Sequence, residues 1–509
     1  MYTKTHEFFS RYTDEESFKN IVWYDSVSEM WEKRSAEYSD KTAIEFNGEK
    51  YSYGRLSEDA AGFRAILRAK GLKKGDHVGI FSANSYDFVK AYIAVTTAGC
   101  VAMILPAHLD DKSIFGCAMK YALKAIIFAK DLAEKLEFAK GKLSQLAFIE
   151  IEQSSEEKAP VTETKGTDPC IIMFTGGTTG KSKGALLSNQ AVMRGTINGC
   201  YGYEQVFENR YLLVLPFSHV FGLIRNLMTS LYTGSDLFIC MNNKDMFRDC
   251  AQFRPTIMVM VPALAEMSLT LSKKFGRNML GDALKYIICG AAAVAPYLLT
   301  EYAKMNITVF PGYGLTESAN LVSGNPDPVN KPDSVGSLYP GEEVKLVDGE
   351  IWLKGVNMME SYWGEDEENK NSFEDGWFKT GDLGRFDEDG FLYITGRIKE
   401  IIVLPSGENV SPAELESRFN ELSFIQASQV FEAETQTGSR ILALEIVPRA
   451  TELKNLSAPE TQQYILEELE KINMTFPAFE RVSKIIIRTE DFERTPSMKI
   501  KRYSEIKKL

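Results

Sequence analysis

A short apolar strand that runs directly into a loop of glycine, threonine and lysine is the feature that most restricts how this chain can fold. Residues 171–174 are all apolar, and the sequence then reads TGGTTGKSKG from Thr175 to Gly184. Glycine adopts backbone conformations that other residues resist, so successive N–H groups of such a loop can surround an anion. The hydroxyls and lysines of the loop add donors and positive charge. The stretch therefore predicts a polyphosphate site at the end of a buried strand.

Two other interpretations of this loop are weaker. A P-loop has the pattern G-x-x-x-x-G-K-[ST], and Gly180, Lys181 and Ser182 match its end, but Thr175 stands where its first glycine belongs. A flexible surface linker rarely follows a buried strand with this density of Gly, Thr and Lys.

Alternating strand and helix patterns precede the loop. His77–Phe81 and residues 99–105 are apolar enough for buried strands, and Tyr86–Thr97 between them has a helical pattern. Strand, helix and strand at this spacing indicate parallel βαβ units. With 509 residues the chain is too long for one core, so we expect at least two domains in an α/β fold.

Composition and charge exclude several classes of function. A net charge of −12 and a pI near 5.2 argue against non-specific binding of nucleic acid. The seven cysteines are scattered without a C-x-x-C pair, which indicates reduced thiols, and the four histidines show no metal-ligand spacing. Residues 1–20 lack the apolar core of a signal peptide, and the longest apolar run, residues 91–105, is too short to cross a bilayer. We expect a cytoplasmic protein with no nucleic-acid partner and no transmembrane segment, and the oligomeric state stays open.

Four later segments place small, polar or aromatic residues close to predicted strands. They read LLVLPFSHVFGL (212–223), YIICGAAAV (286–294), PGYGLTE (311–317) and GWFKTGD (376–382). Small side chains let a flat ring approach the backbone, and α/β proteins place ligands at strand ends. Tight packing, a core histidine and a capping carboxylate are the plain structural interpretations of the same residues. The candidate functional residues in these segments are His219, Val220, Phe221, Gly290, Ala291, Ala292, Tyr313, Gly314, Thr316, Glu317 and Asp382.

A second, smaller unit follows the link at residues 396–400. Ser411–Glu414 has the pattern of a capping box with proline at the first helical position. The basic tail RTPSMKIKR, residues 494–502, has a solvated surface as its plain interpretation. The elements predicted for a small α+β domain are a helix from Pro412, strands near 429–433, 441–447 and 482–487, and a helix near 459–472.

Taken in order, these segments resemble the motifs of the adenylate-forming superfamily, which contains acyl-CoA synthetases, aryl-acid ligases, luciferases and the adenylation domains of peptide synthetases. The resemblance runs from about residue 51 to residue 502 and is strongest to bacterial fatty-acid and long-chain acyl-CoA synthetases. Ser182, Ala293 and Met498 replace the usual Pro, Pro and Gly of the family motifs. The resemblance implies a large N-terminal domain of βαβ subdomains (1–396), a hinge (397–400) and a small mobile α+β C-terminal domain (401–509).

The resemblance also implies roles at the nucleotide. Lys499 would bind the substrate carboxylate and the α-phosphate during adenylation, and Thr316 would contact the α-phosphate. Glu317 would help to hold Mg²⁺, which prefers carboxylate and phosphate oxygen. Tyr313 would stack on adenine, and Asp382 would accept hydrogen bonds from the ribose. The remaining residues implied at ATP are Thr175, Gly176, Gly177, Thr178, Thr179, Gly180, Lys181, Lys183, Gly290, Ala291, Ala292, Gly314 and Arg397.

For the other substrates, the resemblance implies that His219, with Val220 and Phe221, lines the acyl pocket. Lys399 would be the pivot of the C-terminal domain. Ser406 and Gly407 would lie beside the incoming CoA.

The implied activity is ATP-dependent activation of a carboxylic acid, and of a fatty acid in particular, to acyl-AMP with release of pyrophosphate, followed by transfer to CoA. Relatives that activate amino acids carry a carboxylate near the position of Val220, but no acidic residue lies between Pro216 and Arg225 here, which favours a plain carboxylic acid. Two alternatives stay open: a ligase that loads an acyl carrier protein, and an inactive ATP-binding homologue.

Overall fold

The computed structural model describes residues 7–175, 183–404, 408–449, 452–453, 458–494, 500–503 and 506–509. A large N-terminal domain contains three sheets, and a smaller C-terminal domain is built on a fourth. This arrangement confirms the predicted α/β class with a second, smaller α+β unit.

The first sheet of the N-terminal domain has seven strands and carries the start of the Gly- and Thr-rich loop. The predicted strand His77–Phe81 and helix Tyr86–Thr97 have the predicted bounds. Strands on both sides of His77–Phe81 run parallel to it, as expected for βαβ units. In spatial order the strands are Ser361–Tyr362, Gly184–Ser188, Pro169–Phe174, Val101–Leu105, His77–Phe81, Ala125–Phe128 and Ala147–Glu150.

The second sheet has nine strands, and six neighbouring strands, from Thr308–Leu315 to Thr42–Phe46 in spatial order, run parallel. The carboxyl ends of parallel strands meet at one edge, so this sheet gathers the segments that follow residues 213, 260 and 289. The strands in spatial order are Ser337–Leu338, Asn320–Gly324, Thr308–Leu315, Tyr286–Cys289, Ile257–Met260, Arg210–Leu213, Asp236–Ile239, Thr42–Phe46 and Glu49–Ser52.

Helices cover these sheets and bury most strand side chains in one large apolar core, while Val101, Met103 and Ile172 of the seven-stranded sheet belong to a second, smaller core. Several helices begin after a Ser or Asp whose side chain accepts the backbone N–H of the residue three positions later, and Ser188 before the helix Asn189–Asn198 is one of them. The α-helices of this domain are Glu15–Asn20, Val27–Glu37, Tyr53–Ala69, Tyr86–Thr97, Asp111–Lys120, Glu137–Lys142, Asn189–Asn198, Thr229–Tyr232, Met246–Phe253, Pro262–Phe275, Pro296–Ala303 and Asp366–Ser372.

A third sheet leads towards the C-terminal domain. Its long strand Trp377–Phe386 pairs antiparallel with Leu392–Arg397, and this pairing sets Asp382 opposite Arg397. The remaining strands are Glu343–Val347, Glu350–Lys354 and Phe373–Glu374.

The C-terminal domain packs the helices Pro412–Phe419 and Pro459–Asn473 with a four-stranded sheet around a separate apolar core. The strands in spatial order are Lys484–Ile487, Arg440–Pro448, Ile425–Glu434 and Lys507–Lys508, and the short strands Ile402–Val403 and Asn409–Val410 pair separately. Among the described helices of the whole chain, none combines the length and apolar character that crossing a membrane requires.

The predicted capping box at Ser411 is wrong, although its helix begins at Pro412 as expected. The Ser411 side chain makes no capping hydrogen bond, and its hydroxyl donates instead to the Thr395 carbonyl oxygen at 2.6 Å. The hydrogen bond to Thr395 directs the Ser411 side chain towards the strand Leu392–Arg397, and its oxygen accepts no backbone N–H of the helix.

Candidate active site

The strand that carries the PGYGLTE segment is longer than the sequence suggests. The apolar pattern ends at Phe310, but the strand continues to Leu315 because residues 312–315 pair with the antiparallel strand Asn320–Gly324. A 3₁₀ turn, Thr316–Ser318, follows at once, and the Ser318 hydroxyl oxygen accepts the Leu315 N–H at 2.9 Å. The turn brings Thr316 and Glu317 to the end of the strand that presents Tyr313.

Asp382 is the meeting point of three separate motifs. Its carboxylate is buried and accepts hydrogen bonds from the Tyr313 hydroxyl at 2.7 Å and from Nε of Arg397 at 2.5 Å. Burial by itself would lower the pKa of Arg397, but the adjacent Asp382 outweighs it and raises that pKa above its ordinary value. Burial and the same carboxylate raise the pKa of Tyr313. The structure therefore brings together Tyr313, Asp382 and Arg397, which the sequence proposed separately.

Glu317 lies within the electrostatic reach of this group and is partly buried. Burial raises the pKa of its carboxyl, the Tyr362 hydroxyl opposes that rise by donating to Oε1 at 2.6 Å, and Asp382 adds to it. The backbone is held as well, because the Met359 N–H donates to the Glu317 carbonyl at 2.7 Å. Tyr362 was missed by sequence reasoning, since a tyrosine before Trp363 and Gly364 carries no signal of a partner 45 residues away.

The donor set at Glu317 fits a magnesium ion that arrives with a nucleotide. In the described ranges, no three His, Cys, Asp or Glu side chains cluster closely enough to hold a metal ion on their own. Mg²⁺ is commonly bound by one or two carboxylates, with phosphate and water oxygens as its other ligands. The single carboxylate of Glu317 is compatible with that mode.

The base of the phosphate loop is closed by a hydrogen bond from the Thr175 N–H to the Lys183 carbonyl at 2.9 Å. The Lys183 ammonium forms an ion pair with Glu368 and lies 5.0 Å from the centroid of the Tyr362 ring. A Cβ at Gly184 would come within 2.6 Å of the Tyr121 ring, so only glycine fits at the loop exit. The predicted loop residues Gly176, Gly177, Thr178, Thr179, Gly180 and Lys181 lie outside the described residues.

The predicted acyl-pocket residues follow the strand Arg210–Leu213. His219 is partly exposed and its Nδ1 accepts the Phe221 N–H at 3.2 Å, while Val220 and Phe221 are buried. A π-helix, Phe221–Met228, begins here, and such helices occur frequently at functional sites. The wall formed by His219, Val220 and Phe221 is apolar apart from the imidazole.

Gly290 lies between Phe221 and the backbone just before Tyr313. A Cβ at Gly290 would lie 3.3 Å from the Phe221 ring and 3.2 Å from the carbonyl oxygen of Gly312, the residue before Tyr313. Ala291 has a φ of 67°, in the left-handed region that a non-glycine residue enters only at a cost of about 1 kcal/mol. Ala292 is exposed. The turn after the strand Tyr286–Cys289 is therefore tight. The backbone of Gly290 lies between the Phe221 ring and the Gly312 carbonyl.

Three of the predicted functional positions outside the loop, Lys499, Ser406 and Gly407, lie outside the described residues. Lys399 is described, and it is exposed in a 3₁₀ turn, Ile398–Glu400, directly after Arg397. The same turn is tied to the C-terminal domain, since Nε of Arg502 contacts Glu400 at 2.7 Å.

A second set of contacts joins the two domains away from the link. Arg449 of the C-terminal domain binds both carboxylate oxygens of Glu266, at 2.7 and 3.1 Å. Next to this pair, Glu452 accepts hydrogen bonds from Lys273 at 2.5 Å and from the Tyr297 hydroxyl at 2.9 Å. The domain orientation of this structure is thus held by charged contacts.

Comparison with known proteins identifies the family and supports the fold. Residues 31–363 match the AMP-binding enzyme family, and residues 399–509 match the AMP-binding enzyme C-terminal domain. A long-chain-fatty-acid–CoA ligase (FadD15) of Mycobacterium bovis is 25% identical over 86% of this chain and 87% of that protein. An indoleacetate–CoA ligase of Aromatoleum aromaticum is 27% identical over 83% of this chain and 88% of that protein.

Among solved structures, the anthranilate CoA ligase AuaEII in complex with anthranoyl-AMP has the same fold. Its TM-score is 0.83 at 19% identity, over 94% of this chain and 96% of that chain. The family match covers more than half of the sequence and includes every described site residue except Asp382, Arg397 and the hinge. The chain therefore belongs to the AMP-binding enzyme family, as its motifs predicted, and is an enzyme of the AMP-forming acid–thiol ligase class.

Proposed function

We propose that this enzyme activates a fatty acid with ATP and transfers the acyl group to the thiol of CoA. The observation that carries the proposal is the convergence of Tyr313, Asp382 and Arg397 beside Glu317, with an apolar wall on the other side of Gly290. A hydrogen-bonding group for a nucleotide thus adjoins a surface suited to an acyl chain.

The chemistry explains why ATP is needed. A carboxylate does not react with a thiol, because the leaving group would be an oxide ion, which is a very poor leaving group. In the first half-reaction the carboxylate oxygen forms a bond to the α-phosphorus, the bond from that phosphorus to the pyrophosphate oxygen breaks, and pyrophosphate departs. Positioning and neutralisation of charge account for the rate of such a step. A bound Mg²⁺, held by Glu317, would neutralise phosphate charge.

In the second half-reaction the CoA thiol attacks the acyl carbon, loses its proton to solvent, and displaces AMP. We propose that the C-terminal domain, residues 401–509, turns about Lys399 in the hinge 397–400 between the two steps, relative to an N-terminal domain of residues 1–396. Lys499 would serve the first step, and Ser406 and Gly407 would border CoA in the second. An exposed Lys399 in a short turn between two separate cores supports this division.

The proposed substrate class rests on the acyl wall. Val220 and Phe221 are buried and apolar, and no acidic side chain occurs between Pro216 and Arg225 to bind an amino group. A saturated chain would replace water against such a wall, at about 0.8 kcal/mol for each buried CH₂. The relative named as a long-chain-fatty-acid–CoA ligase supports the same class. The cytoplasm is the compartment that we propose, since the cysteines are free thiols.

The test is pyrophosphate release with ATP, Mg²⁺ and a panel of acids, namely acetate, octanoate, palmitate, indoleacetate and anthranilate, each with and without CoA. We expect release to be greatest with a fatty acid, to rise with CoA, and to yield the acyl-CoA by mass spectrometry. Preference for an aromatic acid would contradict the substrate class. Pyrophosphate release that does not change when CoA is added would contradict CoA as the acyl acceptor. No release with any acid would contradict the proposed ligase activity.

A further inference from the structure

A short segment, residues 359–369, connects the exit of the phosphate loop to Glu317. Its strand Ser361–Tyr362 pairs with the strand Gly184–Ser188, which begins immediately after the loop and Lys183. The Trp363 N–H donates to the Gly184 carbonyl at 2.9 Å, and the Met359 N–H donates to the Glu317 carbonyl at 2.7 Å. We call this segment the bridging segment.

Tyr362 of the bridging segment is held through both its backbone and its side chain. Asn369 binds its backbone on both sides: Oδ1 accepts the Tyr362 N–H at 2.7 Å, and Nδ2 donates to the Tyr362 carbonyl at 2.8 Å. The side chain is only 5% exposed. A tyrosine fixed in this way gives its hydroxyl a single direction, and that direction is towards Oε1 of Glu317 at 2.6 Å.

The hydroxyl is a fixed donor to a carboxylate that is itself partly buried, so it restricts the directions that the carboxylate can take. Within the described part of the chain, Tyr362 is the side chain that hydrogen-bonds Glu317. The Lys183 ammonium lies over the Tyr362 ring and forms an ion pair with Glu368 of the bridging segment.

We propose that Tyr362 is a positioning residue that keeps Glu317 oriented for a divalent cation, and that the bridging segment ties this pair to Lys183 and Gly184. The inference rests on the proposed function, since it takes ATP with Mg²⁺ as the ligand. Tyr362 itself contacts neither reacting atom.

The test is calorimetric measurement of ATP affinity in Mg²⁺ and in EDTA. For wild type we expect tighter binding in Mg²⁺. We call the increase in ATP affinity that Mg²⁺ causes the Mg²⁺ gain. Tyr362→Phe should keep the ATP affinity measured in EDTA and lose about tenfold or more of the Mg²⁺ gain, because a hydrogen bond to a charged group contributes about 1.5–3 kcal/mol. The Mg²⁺ concentration for half-maximal pyrophosphate release should rise, while the KM for the acid stays unchanged.

The matched control is Tyr86→Phe, which removes a tyrosine–carboxylate hydrogen bond of the same length, 2.6 Å to Asp59, outside the site. It should keep the full Mg²⁺ gain. Glu317→Gln should lose the gain, and adding Tyr362→Phe to it should cause no further loss, because both changes remove the same effect.

Three outcomes would overturn the inference: an unchanged Mg²⁺ gain in a folded Tyr362→Phe protein, an equal loss in Tyr86→Phe, or additive losses in the double variant. If Tyr362→Phe does not fold, Asn369→Ala replaces it, with a smaller loss of the same gain expected and an unchanged gain contradicting the inference. Wild type that binds no ATP in either condition would instead refute the proposed function.

Discussion

The contact between Arg449 and Glu266 predicts how firmly the C-terminal domain is held in this orientation. Nε and Nη2 of the arginine bind the two carboxylate oxygens at 2.7 and 3.1 Å, and the side chains are 3% and 12% exposed. The guanidinium also lies 3.9 Å from the centroid of the Tyr297 ring and donates to the Ser423 carbonyl of its own domain. The perturbation is Glu266→Gln, which keeps the shape of the side chain and removes its charge.

The magnitude follows from the burial of the pair. Removing one partner of a buried ion pair costs about 3–5 kcal/mol, because the remaining charge is left uncompensated. Contacts of Arg449 with Tyr297 and Ser423 persist, so we take the lower end, about 3 kcal/mol. Since every 1.4 kcal/mol is tenfold in an equilibrium constant, the population with the domains apart should rise about 100-fold.

The assay is limited proteolysis of the hinge, residues 397–400. When opening is fast relative to cleavage, the cleavage rate follows the population of the open form, so the rate should rise by up to about 100-fold. The matched control is Glu421→Gln, which breaks an ion pair with Arg418 whose partners are 41% and 54% exposed. Exposed pairs contribute about 0–1 kcal/mol, so this variant should cleave like wild type. Equal cleavage rates for the two variants would refute the reasoning.

Three further predictions concern the site and a buried carboxyl. Asp382→Asn should lower pyrophosphate release by on the order of 10²–10³, since it removes a preorganised charge, whereas the exposed Asp389→Asn should not; equal rates for the two would contradict the assignment. Lys499→Ala should lower adenylation by a similar factor but leave thioester formation from supplied acyl-AMP nearly intact, and an equal fall in both half-reactions would show that the lysine has another role. Burial raises the pKa of Glu342 from 4.5 to about 8, so its contribution to stability is complete below pH 4.5 and is lost as pH rises to about 8. Glu342→Gln should therefore gain stability relative to wild type between pH 5 and pH 8 in urea unfolding, whereas the exposed neighbour variant Glu343→Gln should follow wild type; a constant difference across this range would contradict the raised pKa.

Local sequence was sufficient wherever an element depends on residues close to it in the chain. The strand His77–Phe81 and the helix Tyr86–Thr97 have their predicted bounds, because apolar periodicity depends on residues within one or two turns of each other. The site motifs around Tyr313 and Asp382 were recognisable for a similar reason, since each keeps its functional residue within a few positions of its glycines.

Tertiary structure decided what those residues contact. Tyr362 donates a hydrogen bond to a carboxylate 45 positions away in the sequence. The Ser411 hydroxyl donates one to the Thr395 carbonyl, although its sequence predicts a helix cap. The strand with Tyr313 runs past Phe310 only because a later strand pairs with it. In each case the sequence determined which donors, acceptors and apolar faces the chain carries. Their partners were selected by packing, because a hydrogen bond forms with whichever group the fold places about 3 Å away, at any distance along the chain.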